Sequence, residues 1–183
     1  MPRLYLVRHG RAAATFAEAA DPGLDALGRS QAEAAGEHLS RLAPVALLTS
    51  PLKRARETSE PLARFWARAV AVEPAVAEIP SPAGLGLAER AEWLRGFMAG
   101  SWRAASRDLA QWREAVIAAL TAQSADAVIF SHFIAINVAV GAAEGNDSVT
   151  VFRPDNCSVT ILDIENGALK FVERGREAET KVN

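Results

Sequence analysis

Residues 3–10 read Arg-Leu-Tyr-Leu-Val-Arg-His-Gly, an apolar run that ends in two basic residues and a glycine. Short apolar runs bounded by turn residues are typical of buried strands, so this run is predicted to form a strand that leads into a loop at His9. A similar run, Ala-Val-Ile-Phe at residues 127–130, lies just before His132. Two of the three histidines in the chain therefore follow predicted strands.

Strands and helices alternate along the rest of the chain. Helical patterns are predicted over residues 25–42, 51–67, 87–98, 106–123 and 132–143, and strands over 45–48, 69–72, 149–153, 157–164 and 168–173. Pro61 is expected to break the second helix or to begin another one, because proline lacks the N–H that a helix needs. The alternation predicts a three-layer α/β fold, in which helices flank both faces of a mostly parallel sheet.

Length, charge and cysteine content limit the class of protein. The 183 residues fit a single domain over 1–183, with a polar tail at 175–183 that is expected to be frayed. A formal net charge of −2 argues against a nucleic-acid partner, and the single Cys157 requires no oxidising compartment. No apolar stretch is long enough for a membrane span or a signal peptide. We expect a cytoplasmic protein without a membrane partner, and the oligomeric state stays open.

Basic side chains are predicted to gather where the strands end. Ligands of open α/β sheets bind beyond the carboxyl ends of the strands, which directs attention to His9, His132 and the Ser50-Pro51 step. Arg8 precedes the first of these histidines, and Arg54 follows the second predicted strand. Guanidinium groups match phosphate oxygens in a bidentate way, and the helix that starts at Ser131-His132-Phe133 adds backbone N–H donors. These residues therefore predict a site for one phosphate group.

Three blocks of sequence, spread over nearly the whole chain, carry a family resemblance. They are Leu6-Val7-Arg8-His9-Gly10, the stretch from Thr49 to Thr58, and Ile129-Phe130-Ser131-His132-Phe133. In this order and spacing they resemble the histidine phosphatase superfamily, which has the phosphoglycerate mutase-like fold. The resemblance implies a metal-independent phosphatase without a cofactor. It also implies that His9 is the nucleophile that becomes a phosphohistidine, while Arg8, Arg54 and His132 hold the phosphoryl oxygens.

The family also places a carboxylic acid after the second block, as the proton donor to the leaving group. Glu78 is the favoured match, and Glu73 is its rival. Where the mutases of the family carry an acidic residue and an asparagine, this chain has Arg11 and Thr15, which are possible substrate contacts. These departures favour hydrolysis over phosphoryl transfer between hydroxyls. Residues 73–113 are expected to cover the site and to select the substrate.

The sequence leaves several functions open. The favoured one is a phosphomonoesterase that acts on a small phosphorylated metabolite. A phosphoprotein phosphatase acting on phosphohistidine is the nearest alternative, followed by a non-catalytic protein that binds a phosphorylated ligand, and then by a mutase. No P-loop motif and no zinc-binding spacing of His or Cys is found. The sequence does not identify the substrate itself.

Overall fold

The computed structural model describes residues 1–15 and 18–178. Its strands are β1 (Arg3–Arg8), β2 (Ala46–Thr49), β3 (Ala71–Val72), β4 (Ala127–Ser131), β5 (Val159–Glu165) and β6 (Ala168–Glu173). Its α-helices are α1 (Ala26–Leu39), α2 (Lys53–Trp66), α3 (Leu87–Met98), α4 (Arg107–Thr121) and α5 (Phe133–Glu144). Short 3-10 turns lie at Pro74–Val76 and Trp102–Ala104.

The six strands form one sheet in the order β3-β2-β4-β1-β5-β6. The first four strands of this order run parallel, and β5 and β6 are antiparallel to their neighbours. Side chains alternate between the two faces: Leu6 and Ile129 belong to the core shared with α4 and α5, whereas Val7 and Phe130 pack on the side of α1 and α2. The predicted α/β fold with a mostly parallel sheet is therefore confirmed.

The parallel register determines which residues meet at the edge of the sheet. Arg8 pairs with Ser131, and Thr49 pairs with Phe130. The carboxyl ends of β1, β2 and β4 therefore lie side by side at one edge. The residues that directly follow β1, β2 and β4, which are His9, Ser50 and His132, therefore lie at this edge of the sheet.

The strand predicted over residues 149–153 is wrong. This segment is irregular, although its apolar side chains are largely buried. The amide oxygen of Asn137, on α5, accepts hydrogen bonds from the N–H groups of Val151 (2.7 Å) and Phe152 (3.0 Å). The Asn137 side chain thus accepts hydrogen bonds from backbone N–H groups that, in a strand, would donate to the carbonyls of a neighbouring strand.

The expected helix break at Pro61 is also wrong, because α2 runs through this residue to Trp66. Pro61 is buried against α1, where a Cβ added to Gly36 would lie only 2.7 Å from the Cβ of the proline. Gly36 thus lets the two helices pack closely around the ring. We infer that this packing offsets the lost helical hydrogen bond.

Part of the segment predicted to be a frayed tail is paired. The N–H of Asp155 donates to the carbonyl of Arg176, and the N–H of Ala178 donates to that of Arg153, both at 2.8 Å. Residues 179–183 of that segment lie outside the described residues. Within the described part of the chain, the helices are too short or too polar to cross a bilayer.

Candidate active site

Two buried imidazoles meet at the edge where β1 and β4 end. The ring centroids of His9 and His132 are 5.1 Å apart. His9 is 8% exposed and His132 is fully buried. Backbone hydrogen bonds hold the adjoining segments, since His9 N donates to Ser131 O (3.0 Å) and Ser50 N donates to Phe130 O (2.9 Å). The predicted convergence of these two histidines is therefore present in the structure.

Two hydrogen bonds determine the tautomer of His9. Its Nδ1 lies 2.8 Å from the carbonyl oxygen of Gly10, which can only accept, so Nδ1 carries the proton. Nε2 receives the Nε–H of Arg54 at 3.2 Å, and a guanidinium can only donate, so Nε2 presents its lone pair. Burial, followed by the charges of Arg54 and Arg8, holds the pKa of His9 well below its usual value. The ring is thus neutral, with its lone pair on the side of Arg54.

The two arginines of the predicted site are both held near this ring. Arg54, in the first turn of α2, is 3% exposed and lies 3.8 Å from a carboxylate oxygen of Asp21. Arg8 donates to the carbonyl of Pro154 (2.8 Å), and its guanidinium lies 5.3 Å from the centre of the Phe133 ring. Burial lowers the pKa of both guanidinium groups, which remain cations because arginine does not lose its proton in proteins. They give the site a fixed positive charge.

Glu78 brings a carboxyl group to the same cluster. It accepts hydrogen bonds from the N–H of Ile79 (3.0 Å) and from the N–H of Ile134 (3.2 Å) in the first turn of α5. Burial raises the pKa of Glu78, although these N–H donors and the charges of Arg54 and Arg8 act against the rise. The rival Glu73 instead caps a 3-10 turn by accepting from Ala75 N (3.0 Å). The geometry therefore favours Glu78 as the acid of this cluster.

The structure does not join Arg11 or Thr15 to the cluster. The exposed Arg11 makes an ion pair with Asp25, the residue that caps α1. Thr15 bonds to the carboxylate of Glu18 through both its N–H and its hydroxyl, each at 2.8 Å. Both side chains thus bond to nearby carboxylates, and their role as substrate contacts stays a prediction.

Three polar residues for which the sequence predicted no specific role contact this cluster. Ser50 Oγ lies 2.7 Å from His132 Nε2, Asn156 Nδ2 donates to the carbonyl of His9 (2.8 Å), and Thr58 Oγ1 accepts from Gly10 N (3.0 Å). The position of Ser50 at a strand end was a usable signal for such a role. Asn156 gives no such signal, because it reaches the site from a turn before β5.

The cluster has the chemistry that phosphoryl transfer requires. A neutral imidazole with its lone pair on Nε2 is a nucleophile, and two guanidinium groups can stabilise charge on phosphoryl oxygens. A carboxyl group with a raised pKa suits proton donation to a leaving group. Within residues 1–15 and 18–178, no group of three or more His, Cys, Asp or Glu side chains could hold a metal ion. Independence from metal ions stays a prediction.

Comparison with known proteins agrees with this geometry. The model of the histidine phosphatase superfamily (branch 1) matches residues 4–176. The chain is similar to a mycobacterial glucosyl-3-phosphoglycerate phosphatase, with a TM-score of 0.72, 23% identity and coverage of 93% of this chain and 96% of that one. For the complex of the mycobacterial enzyme with VO3, the TM-score is 0.68, the identity 26% and the coverage 89% and 93%.

A second protein with a similar solved structure comes from another organism. It is a phosphoserine phosphatase from Entamoeba histolytica in complex with 3-phosphoglyceric acid, with a TM-score of 0.75 and 20% identity. The match covers 96% of this chain and 98% of that chain. None of the curated proteins matches the sequence.

Proposed function

Because this chain belongs to the histidine phosphatase superfamily, we propose that this phosphatase hydrolyses phosphate monoesters of small metabolites through a phosphohistidine at His9. The observation that carries the proposal is the tautomer of His9. Its proton is held on Nδ1 by the carbonyl of Gly10, and its Nε2 lone pair faces Arg54. A nucleophilic nitrogen beside fixed cations is what an attack on an anionic phosphoryl group needs.

The reaction has two steps. In the first, the Nε2 lone pair of His9 forms a bond to phosphorus, the bond from phosphorus to the ester oxygen breaks, and Glu78 donates its proton to that oxygen. In the second, water attacks phosphorus, the bond from phosphorus to nitrogen breaks, and Glu78 takes a proton from the water. Arg8, Arg54 and His132 hold the phosphoryl oxygens in both steps. Glu78 thus ends in its starting protonation state.

The names of the structural neighbours support a small phosphorylated metabolite as the substrate. One neighbour is a glucosyl-3-phosphoglycerate phosphatase, and another is a phosphoserine phosphatase that binds 3-phosphoglyceric acid. A panel of phosphorylated sugars, hydroxy acids and amino acids, with phosphohistidine peptides beside them, tests this assignment through the phosphate released. Release from the phosphohistidine peptides alone would contradict the metabolite assignment.

Replacement of His9 by alanine tests the nucleophile. We expect His9→Ala to abolish hydrolysis of p-nitrophenyl phosphate while circular dichroism shows an unchanged fold. His38→Ala is the matched control, because His38 lies exposed on α1, and its activity should equal that of the wild type. EDTA is expected to leave wild-type activity unchanged. Turnover retained by His9→Ala would rule out the phosphohistidine, and loss of activity in EDTA would rule out a metal-independent reaction.

A further inference from the structure

The two ring nitrogens of His132 have different surroundings. Nε2 lies 2.7 Å from Ser50 Oγ, and both residues are fully buried. Nδ1 is buried as well, and among the described residues it has no hydrogen-bond partner. This ring adjoins His9, with the two ring centroids 5.1 Å apart. One nitrogen of His132 is thus engaged by the protein, and the other is left without a hydrogen-bond partner among the described residues.

The direction of the hydrogen bond between Ser50 and His132 follows from the hydroxyl group. Ser50 Oγ accepts the N–H of Leu52 (3.2 Å), and a hydroxyl has only one hydrogen to donate. In the described part of the chain, His132 Nε2 is the one acceptor bonded to this oxygen. If Nε2 carried a proton instead, the hydroxyl hydrogen of a fully buried serine would have no acceptor, which is costly. Ser50 therefore donates and Nε2 accepts.

A neutral imidazole carries a single N–H, so acceptance at Nε2 places the proton on Nδ1. We propose that Ser50 is a positioning residue, which holds His132 in the Nδ1–H tautomer so that the ring offers a neutral donor to the phosphoryl group. This inference rests on the proposed function, because it assigns the donor of the same phosphate site. Hydrogen bonds then run from Leu52 N–H to Ser50, from Ser50 to His132, and from His132 Nδ1–H to a phosphoryl oxygen.

The tautomer matters because His132 is held neutral. Burial, followed by the nearby His9, Arg54 and Arg8, holds the pKa of His132 well below its usual value. A neutral ring of the other tautomer would present a lone pair at Nδ1, which repels the anionic oxygens of a phosphoryl group. The protein therefore needs a means of choosing the tautomer, and the hydroxyl of Ser50 supplies it.

The test combines three variants with two measurements. Ser50→Ala removes the hydroxyl, Ser50→Thr retains one, and Ser59→Ala removes a buried hydroxyl that bonds to the carbonyl of Arg56 within α2 (2.6 Å). The first measurement is kcat/KM for p-nitrophenyl phosphate. The second is the imidazole 15N spectrum of histidine-labelled protein, in which the signals of His132 are assigned from the variant that lacks this ring. The spectrum is recorded with and without inorganic phosphate.

In the wild type, the spectrum should show the His132 proton on Nδ1. Ser50→Ala should lower kcat/KM by about 10-fold, the value of one lost hydrogen bond, and should shift the tautomer toward Nε2–H. Ser50→Thr should restore both readouts, and Ser59→Ala should change neither of them. Because alanine is smaller than serine, folding of Ser50→Ala is expected and is checked by circular dichroism.

Two results would overturn the proposal. They are a wild-type His132 with its proton on Nε2, and a tautomer that Ser50→Ala leaves unchanged. If Ser50→Thr does not fold, the spectrum of Ser50→Ala decides alone. A protein that shows the expected tautomers and binds inorganic phosphate, but releases none from any ester, would support the role of Ser50 while refuting the proposed function. The two failures are thus distinguishable.

Discussion

Glu78 is the residue whose ionisation is expected to govern the basic limit of activity. Its carboxyl group must be protonated to donate to the leaving oxygen, and burial raises its pKa. Activity should therefore fall as the pH rises through the pKa of Glu78. Because general acids contribute about 10²–10⁴-fold, Glu78→Gln should lower kcat on alkyl phosphates by a factor in this range and should remove the basic limb of the profile.

The pH profile of kcat for wild type and Glu78→Gln measures both effects. Binding of inorganic phosphate, followed by calorimetry, is the control and should change little, because Arg8 and Arg54 remain. A basic limb that persists in Glu78→Gln would contradict the role as acid. A mild effect on every substrate would instead favour phosphohistidine, whose bond from phosphorus to nitrogen needs less help from an acid.

At the scale of single residues, the sequence predicts which groups gather but not how they are held. Arg8 and His132 were identifiable because each lies beside a strand end. The hydrogen bond from Asn156 to the His9 carbonyl was not predictable, because a turn brings Asn156 to His9 from a distant part of the chain. Arg11 was predicted as a possible substrate contact, but its guanidinium forms an ion pair with Asp25.

Between structural elements, the contact of the His9 loop with α1 is expected to control activity. A Cβ added to Gly28 would lie only 2.1 Å from the carbonyl oxygen of Arg11, and one added to Gly10 would lie 2.5 Å from that of Gly28. Gly10 also supplies the carbonyl that orients His9. Gly28→Ala should therefore displace this loop, costing about 1–3 kcal/mol in stability, and lower kcat on p-nitrophenyl phosphate at least 10-fold.

Gly96→Ala is the matched control for Gly28→Ala. Gly96 lies exposed within α3, and nothing lies within 4 Å of an added Cβ. Alanine is the better helix former, so this variant should gain up to about 1 kcal/mol. Urea unfolding gives the stabilities and steady-state assays give kcat. A Gly28→Ala protein with wild-type activity would show that the close approach does not position His9.

The helices were largely predictable because their apolar periodicity and caps are local signals. Asp25 caps α1 as expected, accepting from Gly28 N, and α3 has the predicted bounds. Segment 149–153 was not predictable, because its apolar residues resemble a strand while Asn137, on α5, satisfies two of its N–H groups. The helix break predicted at Pro61 was wrong for the same reason, because the residue that it packs against, Gly36, lies on another helix.

For the whole molecule, the two buried imidazoles should make folding sensitive to acid. Burial holds the pKa values of His9 and His132 well below the unfolded value of about 6.5. Between these values each ring binds a proton in the unfolded chain but not in the folded one, so these two histidines lower the free energy of unfolding as the pH falls below about 6.5. Each ring contributes at most about 1.4 kcal/mol per pH unit.

Urea unfolding of the protein between pH 7.5 and pH 5 measures this slope. His132→Gln should reduce the slope, because it removes one of the two proton-binding rings. His38→Gln changes an exposed ring on α1 and serves as the control, with the slope of the wild type expected. An equal slope in wild type and His132→Gln would contradict the assignment of a buried neutral ring at position 132.

The order of the strands is the feature of the whole fold that the sequence could not predict. Alternation of strands and helices indicated a mostly parallel sheet, but it does not say that β1 lies between β4 and β5. That order determines which side chains form the site, because it places the end of β1 beside the end of β4. Strand order depends on packing between distant segments, which local patterns do not encode.

The hydrogen bond from Arg54 to His9 occupies Nε2, the nitrogen that is proposed to attack phosphorus. Any compound that is to react with this nitrogen must first draw the Arg54 N–H away. A phosphate ester carries anionic oxygens that compete for that same N–H, whereas an uncharged alkylating agent has nothing comparable to offer. In the proposed mechanism, Arg54 therefore shields Nε2 of His9 until the anionic oxygens of a substrate take over its N–H.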